Sequence, residues 1–156
     1  MDRKDLEILR LLQRNCKLSV REIAKRLKIP SSTVYARINK LEEKRVITGY
    51  HAKVDEKKLG YGVKAFILVS YTPMPIPQEE VANKIAALPQ VQGVYIISGE
   101  WDMIVEVIEK DVESLGDFVI KKLRNIEGVS KTLTCVVLKK IKETTYVPVA
   151  FVQGFN

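Results

Sequence analysis

Ser19-Val20-Arg21-Glu22-Ile23-Ala24-Lys25-Arg26-Leu27, then Lys28-Ile29-Pro30, then Ser31-Ser32-Thr33-Val34-Tyr35-Ala36-Arg37-Ile38-Asn39-Lys40-Leu41, reads as two short amphipathic helices joined by a tight break. Ser19 and Glu22 have the spacing of a capping box, in which hydroxyl and carboxylate each satisfy a backbone N–H left over at a helix start. The helix they open turns Val20, Ile23, Ala24 and Leu27 inward and Arg21, Lys25 and Arg26 outward, as a 3.6-residue period requires. It stops ahead of Pro30, because the residue before a proline disfavours the helical region. The next helix starts near Ser31 or Ser32, either of which can cap it, and its apolar stripe is Val34, Ile38 and Leu41.

Opposite that stripe lie Ser32, Thr33, Ala36, Asn39 and Lys40, with Tyr35 and Arg37 on the flanks. Small hydroxyl residues let a helix sink into a major groove and bond there, and arginine can reach a guanine edge. A solvated helix face is the plain alternative. Upstream, residues 2–15 repeat Leu6, Leu9 and Leu12 with Ile8 and Leu11 beside them, a further amphipathic helix. Three helices with a short break between the second and third have the order of a helix-turn-helix. Val46-Ile47-Thr48-Gly49-Tyr50-His51-Ala52-Lys53-Val54-Asp55 then reads as a short β-hairpin, which makes the unit winged. His51, the one histidine, has no marked catalytic partner nearby and is read as a surface residue.

Charge follows the same division. The chain has 156 residues and a net charge of +7. Residues 1–62 hold 16 Lys+Arg against 8 Asp+Glu, and residues 63–156 hold 10 against 11. All of the excess lies in the first two-fifths of the chain, which points to a polyanion-binding module joined to a neutral one. No stretch approaches the ~20 apolar residues of a membrane span, and the first residues lack the apolar segment of a secretory signal. Cys16 and Cys135 make neither a disulfide framework nor a metal site. The expectation is a cytoplasmic chain with no metal, no cofactor and no membrane partner. There is no glycine-rich phosphate loop, no G-x-S-x-G and no metal-ligand cluster, so an enzyme is not expected, and a stand-alone metabolite sensor is a remote alternative.

Residues 57–62, where lysines give way to glycines, read as a linker, with the DNA-binding module taken as 1–56. Beyond it the hydrophobic period changes. Strands are predicted at 63–71, 91–98, 103–108 and 129–138, helices at 78–88 and 112–123, and a proline-stiffened loop at 72–77. The order βαββαβ over 63–142 is that of a ferredoxin-like domain with both helices on one sheet face, so the fold class is α+β. Phe66, Leu68, Tyr95, Ile97, Ile104 and Val136 are expected to supply an apolar opposite face. A second copy of the chain is the expected cover, giving a two-fold dimer; a sheet facing solvent is the competing case. The apolar tail from Tyr146 to Val152, within 143–156, is expected to pack on the sheet or across the dimer.

On Asp5-Leu6-Glu7-Ile8-Leu9, Ser19–Ala24, Ser32–Ile38, Val46-Ile47-Thr48-Gly49-Tyr50, Ser98-Gly99-Glu100-Trp101-Asp102 and Thr132–Leu138, in that order and spacing, nearly the whole chain resembles the feast/famine regulators of the Lrp/AsnC (leucine-responsive/asparagine) type. The resemblance implies a winged helix-turn-helix joined to a ferredoxin-like (RAM-type) regulatory domain. It also implies homodimers that assemble further, commonly into octamers, and an amino acid or related small molecule as effector. Where such regulators usually have glycine in the turn this chain has Lys28, and where they commonly have a capping serine it has Pro30. The expected consequence is a turn made without glycine and a cap moved to Ser31.

Base reading is assigned to Ser32, Thr33, Ala36 and Arg37, with Tyr35 and Ser31 beside them, and phosphate contact to Lys40, Arg21, Lys25, Arg3 and the wing residue Lys53. A dimer would then read a pseudo-palindromic operator in double-stranded DNA. A protein that wraps DNA with little sequence choice is the rival. For the effector, Gly99 allows close approach to backbone N–H groups that can cradle a carboxylate. Glu100 or Asp102 can accept from an ammonium, Thr132 and Thr134 can bond either end, Ser98 adjoins, and Trp101 can cover the site. The alternative is a tight interstrand turn with Trp101 in the core; the resemblance favours the effector site.

Overall fold

The computed structural model describes residues 1–73 and 76–149, so Met74 and Pro75 of the proline loop and the tail beyond Val149 lie outside the described residues. The chain divides into two compact units, Met1–Lys53 together with the chain from Lys142 on, and Val54–Ile141.

The first unit holds α1 (Arg3–Arg14), α2 (Val20–Leu27) and α3 (Ser31–Glu43). Ile8, Ile23 and Val34, one from each helix, are fully buried, and Leu12, Ala24 and Leu41 complete the core. Burying a side chain of that size contributes about 1.5–3 kcal/mol, so these residues fix how the three helices cross. The Ser19–Glu22 capping box forms as predicted. A second capping box, at Asp2 and Asp5, opens α1.

Lys28 takes the left-handed conformation at φ 53° and ends α2. A non-glycine residue there costs about 1–2 kcal/mol, tolerated because Ile29 N–H then returns to the carbonyl of Ala24 and Ile29 packs on the core. The cap of α3 corrects the sequence reading. Pro30 occupies that position with no side-chain hydrogen bond, and Ser31 is already helical. Proline needs no partner for a missing N–H and its fixed φ enters a helix without cost.

The hairpin expected over 46–55 is also corrected. No strand forms over 46–55. Val46 and Ile47 both donate to the carbonyl of Leu41, and Ile47 alone of this run packs on the core. An isolated two-stranded hairpin with one apolar anchor is marginal, and here the chain runs on without a ladder. Tyr50 ties it back by donating to Glu42 at 2.8 Å. Burial, then that carboxylate, pushes the phenol pKa up to about 12.

The predicted linker is not one either. Lys57–Leu59 forms a 3-10 turn closed by Gly60 at φ 89°, and the Gly62 N–H donates to the Lys110 carbonyl. A Cβ on Gly62 would meet that carbonyl at 2.7 Å, so the close approach explains the glycine. The tail is likewise fastened elsewhere than expected. Val147 N–H donates to Gln13 at 2.8 Å, Gln13 donates back to the Val147 carbonyl, and Arg10 donates twice to the Val149 carbonyl. Its described part therefore lies on α1 and not on the sheet of its own chain, because a proline-interrupted extended segment offers free carbonyls that those two polar side chains satisfy.

The second unit is β1 (Val63–Tyr71), α4 (Gln78–Ala86), β2 (Val91–Ile96), β3 (Met103–Glu109), α5 (Val112–Asp117) and β4 (Val129–Val136), with sheet order β2-β3-β1-β4 and every neighbouring pair antiparallel. This is the ferredoxin-like arrangement. The predicted helix 112–123 changes character along its length: α5 widens to a π-type turn over Phe118–Lys122 and closes in a 3-10 turn, which keeps Phe118, Val119 and Leu123 on the core.

Strand alternation assigns the faces. Ala65, Ile67 and Val69 on β1 and Met103, Val105 and Val107 on β3 are buried under the helices. Phe66, Leu68, Ile104 and Tyr95 point the other way, as predicted. Val136 does not: it pairs with Ala65 and shares the helix side, while Leu133, paired with Leu68, takes the open face. One residue of register decides this, since the side-chain period of a strand is two.

Replacing Lys28 by glycine removes the left-handed strain and adds only glycine's extra chain entropy. Urea unfolding of Lys28→Gly is expected to give a first unit more stable by up to about 1 kcal/mol; a loss of stability would show that Lys28 carries a compensating contact.

Candidate nucleic-acid and effector sites

Ser32, Thr33, Ala36, Arg37 and Lys40 line one open concavity of about 610 Å³, closed on its far side by Met1, Asp2 and Asp5 from the start of α1. The turn at Lys28 and the burial of Val34 and Leu41 put this face of α3 outward. Ser32, Ala36 and Lys40 are exposed there, Thr33 is half-buried, and Tyr35 is exposed beside it. Arg21 and Lys25 on α2, Ser31 and Lys53 are exposed but outside the concavity. Arg3 pairs with Glu7 at 3.2 Å.

Arg37 is held. Its Nη1 donates to Asp2 Oδ2 at 2.6 Å and to Asp5 Oδ1 at 2.7 Å. Asp2 Oδ1 meanwhile accepts from the N–H groups of Lys4 and Asp5, and Asp5 Oδ2 accepts from the N–H of Asp2. The capping box and the ion pairs are thus one network, and every carboxylate oxygen in it has a partner. The Arg37 guanidinium, then the N–H of Asp5, hold the Asp2 carboxyl below its ordinary value near 3.8. Asp5, then Asp2, raise the already high pKa of Arg37. The sequence signal for this was present: Asp2 and Asp5 have capping-box spacing, but the ion pairs join residues 32 and 35 apart in the chain, which no local pattern reports.

The effector residues are brought together only in part. Ser98, Gly99 and Glu100 are exposed in the β2–β3 loop, with Gly99 at φ 127°. Trp101 and Asp102 are half-buried. Asp102 works as an anchor: its Oδ2 accepts from Tyr71 N–H at 2.7 Å, its N–H donates to the Val69 carbonyl, and its own carbonyl accepts from Ile97 N–H and from Gln78. Thr132 and Thr134 lie in register with Val69 and Ile67, on the helix side of β4. Met103, where the loop ends, also pairs with Val69, so β1 intervenes and Thr132 stands two strand spacings away, about 10 Å. Its hydroxyl accepts from Arg124 at 2.9 Å. Within one chain the threonines and the loop do not share a site.

A helix-turn-helix that turns small, hydroxyl and basic side chains outward on its third helix, joined to a ferredoxin-like domain, defines a two-domain DNA-binding regulator. Residues 1–48 match the winged helix-turn-helix DNA-binding domain and residues 64–147 the Lrp/AsnC ligand-binding domain. The chain belongs to the Lrp/AsnC family of transcriptional regulators. An HTH-type transcriptional regulator of Pyrococcus furiosus is 40% identical over 144 residues, 92% of this chain and 96% of that protein. The HTH-type transcriptional regulator Ptr1 of Methanocaldococcus jannaschii is 37% identical over 149 residues, 96% of this chain and 99% of that one. A transcriptional regulator of Neisseria meningitidis, solved in complex with L-methionine, superposes with a TM-score of 0.92 at 29% identity, covering 96% of this chain and 97% of that one. No helix among the described residues is long and apolar enough to cross a membrane.

Asp2→Asn keeps the helix cap, since asparagine caps as well as aspartate, and removes one charge facing Arg37. Because the folded carboxyl titrates below the unfolded one, its stabilisation is present above about pH 4 and is lost as pH falls through the depressed value. Urea unfolding is expected to place Asp2→Asn below the wild type at pH 7, with the difference shrinking as pH falls below about 4; a constant difference through that fall would assign the effect to something other than charge.

Proposed function

We propose that the chain binds double-stranded DNA through the outward face of α3 and that a small molecule, an amino acid by its chemistry, adjusts that binding through the β2–β3 loop. The observation that carries the first part is the concavity on α3, where Ser32, Thr33, Ala36, Arg37 and Lys40 converge in the first two-fifths of the chain, which holds all the excess positive charge. Small residues at its centre admit a groove floor, and Lys40 with the exposed cations of α2 and Lys53 meets phosphates; phosphate contacts position the protein and base contacts choose the sequence.

The chain is proposed to act as a homodimer that assembles further. The support is the open sheet face, where Phe66, Tyr95 and Leu133 are 37%, 55% and 47% exposed, and an apolar sheet face needs a second layer. Two copies related by a two-fold axis then meet a pseudo-palindromic operator. For the effector, the support is the ligand-binding domain match and the L-methionine complex of the Neisseria neighbour. The backbone of Gly99 suits a ligand carboxylate, and Ser98 and Glu100 remain exposed beside it. Asp102 serves this site by holding the loop. Thr132 and Thr134 are proposed to contribute only if a second chain brings them to another copy's loop.

Binding to a randomised duplex pool at about 0.15 M salt, followed by sequencing, is expected to return a two-fold-symmetric motif, and the affinity for it to fall with salt at a log–log slope near −7 for about eight phosphate contacts. Tight retention with no motif would replace this reading by DNA wrapping without sequence choice. In a calorimetric titration, L-methionine is the first probe among the twenty amino acids. Gly99→Ala, which cannot keep φ 127° without strain of about 1–3 kcal/mol, is expected to weaken the responding amino acid about tenfold. No heat from any of the twenty would overturn the amino-acid assignment and leave the DNA reading standing.

A further inference from the structure

Arg37 spends one nitrogen on the fold and keeps the other two. Both hydrogens of Nη1 are directed at Asp2 and Asp5, whereas Nε and Nη2 make no hydrogen bond among the described residues. A guanidinium has five donors in a rigid planar fork, so fixing one nitrogen by two carboxylates fixes the direction of the remaining Nε–Nη2 edge. That edge belongs to a side chain that is 29% exposed and lines the α3 concavity.

We propose that Asp2 and Asp5 are positioning residues for DNA recognition: they aim the Nε–Nη2 edge of Arg37 at a base edge, so that Arg37 reads one base pair per half-site. The proposal rests on the reading that α3 is the DNA-contacting helix. The alternative target, a phosphate, is disfavoured by charge. The Arg37 guanidinium with two carboxylates carries a net charge of −1, which a phosphate oxygen meets as repulsion, while a guanine edge presents neutral acceptors at O6 and N7 that match a bidentate fork. Preorganisation adds a second argument. A free arginine loses rotamer freedom on binding, whereas one already held at two carboxylates loses less, and the wrong base leaves its fork unpaired.

The carboxylates also select. Asp2 and Asp5 cap α1, and at the rim of a DNA-binding surface they also weaken contact with any duplex through repulsion, which the aimed contact of Arg37 offsets only at the matched sequence. Specificity of this kind combines an aimed attraction with a general repulsion.

The full-length wild type, Asp2→Asn, Asp5→Asn, Arg37→Ala, Arg37→Lys and Lys40→Ala chains are each taken through selection from the same randomised duplex pool, with thermal melting to confirm folding. Arg37→Ala is expected to abolish preference at one position of each half-site, a loss of about fivefold to 150-fold in discrimination, leaving the other positions intact. Arg37→Lys, which keeps the charge and loses the fork, is expected to retain binding and lose the same preference. Asp2→Asn is expected to blur that position alone while total retention rises, and Asp5→Asn to do the same more strongly if it melts above the assay temperature. Recovery of the wild-type motif by Asp2→Asn and Arg37→Lys would overturn the proposal and leave the three residues as a fold contact only. Lys40→Ala separates the failures: it is expected to lower retention without altering the motif. Unchanged retention in Lys40→Ala would overturn the DNA face itself, and the proposal with it.

Discussion

The outer face of α3, set by the burial of its inner side, is tied to the start of α1 by one ion-paired network. Val34 and Leu41 bury the inner side of α3 against Ile8, Leu12 and Ile23, but apolar contact is non-directional and leaves a helix some freedom to roll. Arg37 removes it. Its Nη1 is bonded to two carboxylates that are themselves bonded to the first N–H groups of α1. The helix dipole of α1 favours negative charge at that end, so Asp2 and Asp5 are stabilised there before Arg37 meets them. Rotating α3 would break both ion pairs and expose the cap of α1 together.

The second unit is organised by a different constraint, the two-residue alternation of its strands. Once Ala65, Ile67 and Val69 face α4 and α5, Phe66 and Leu68 must face away, and the paired strands follow in register. The helices cover one side only. An apolar second face is the consequence, and with it a surface suited to a second copy. The same alternation places Thr132 and Thr134 beneath the helices and separates them from the β2–β3 loop. The ligand site proposed to combine them draws on more than one chain, and a ligand changes the state of such a protein only through different affinity for its alternative arrangements.

Local chemistry made much of this legible in advance. The Ser19–Glu22 box, the stripes of α1, α2 and α3, the four strands and the two helices between them were readable because capping and periodicity are decided within a few residues. So was the excess of positive charge in the first unit. The exposed face of α3 was correctly drawn for Ser32, Thr33, Ala36 and Lys40. Residues 46–55 were misread because turn signals at Thr48-Gly49 do not make a hairpin without apolar residues to hold both arms; residues 57–62, because glycine marks tight turns as readily as linkers.

What the sequence by itself determined is therefore the type and order of the elements, their caps and their inward faces, since each depends on neighbours a few bonds away. The tertiary structure alone decided the rest. Lys28 is left-handed because Ile29 must reach the core; Val136 takes the helix side of the sheet because of its partner Ala65 across the strand; Arg10 and Gln13 hold the described part of the tail; and Arg37, legible as a flank residue of α3, is bound to carboxylates more than thirty residues earlier. These outcomes turn on which distant groups come within about 3 Å of one another, and that distance exists only once the chain has closed on itself.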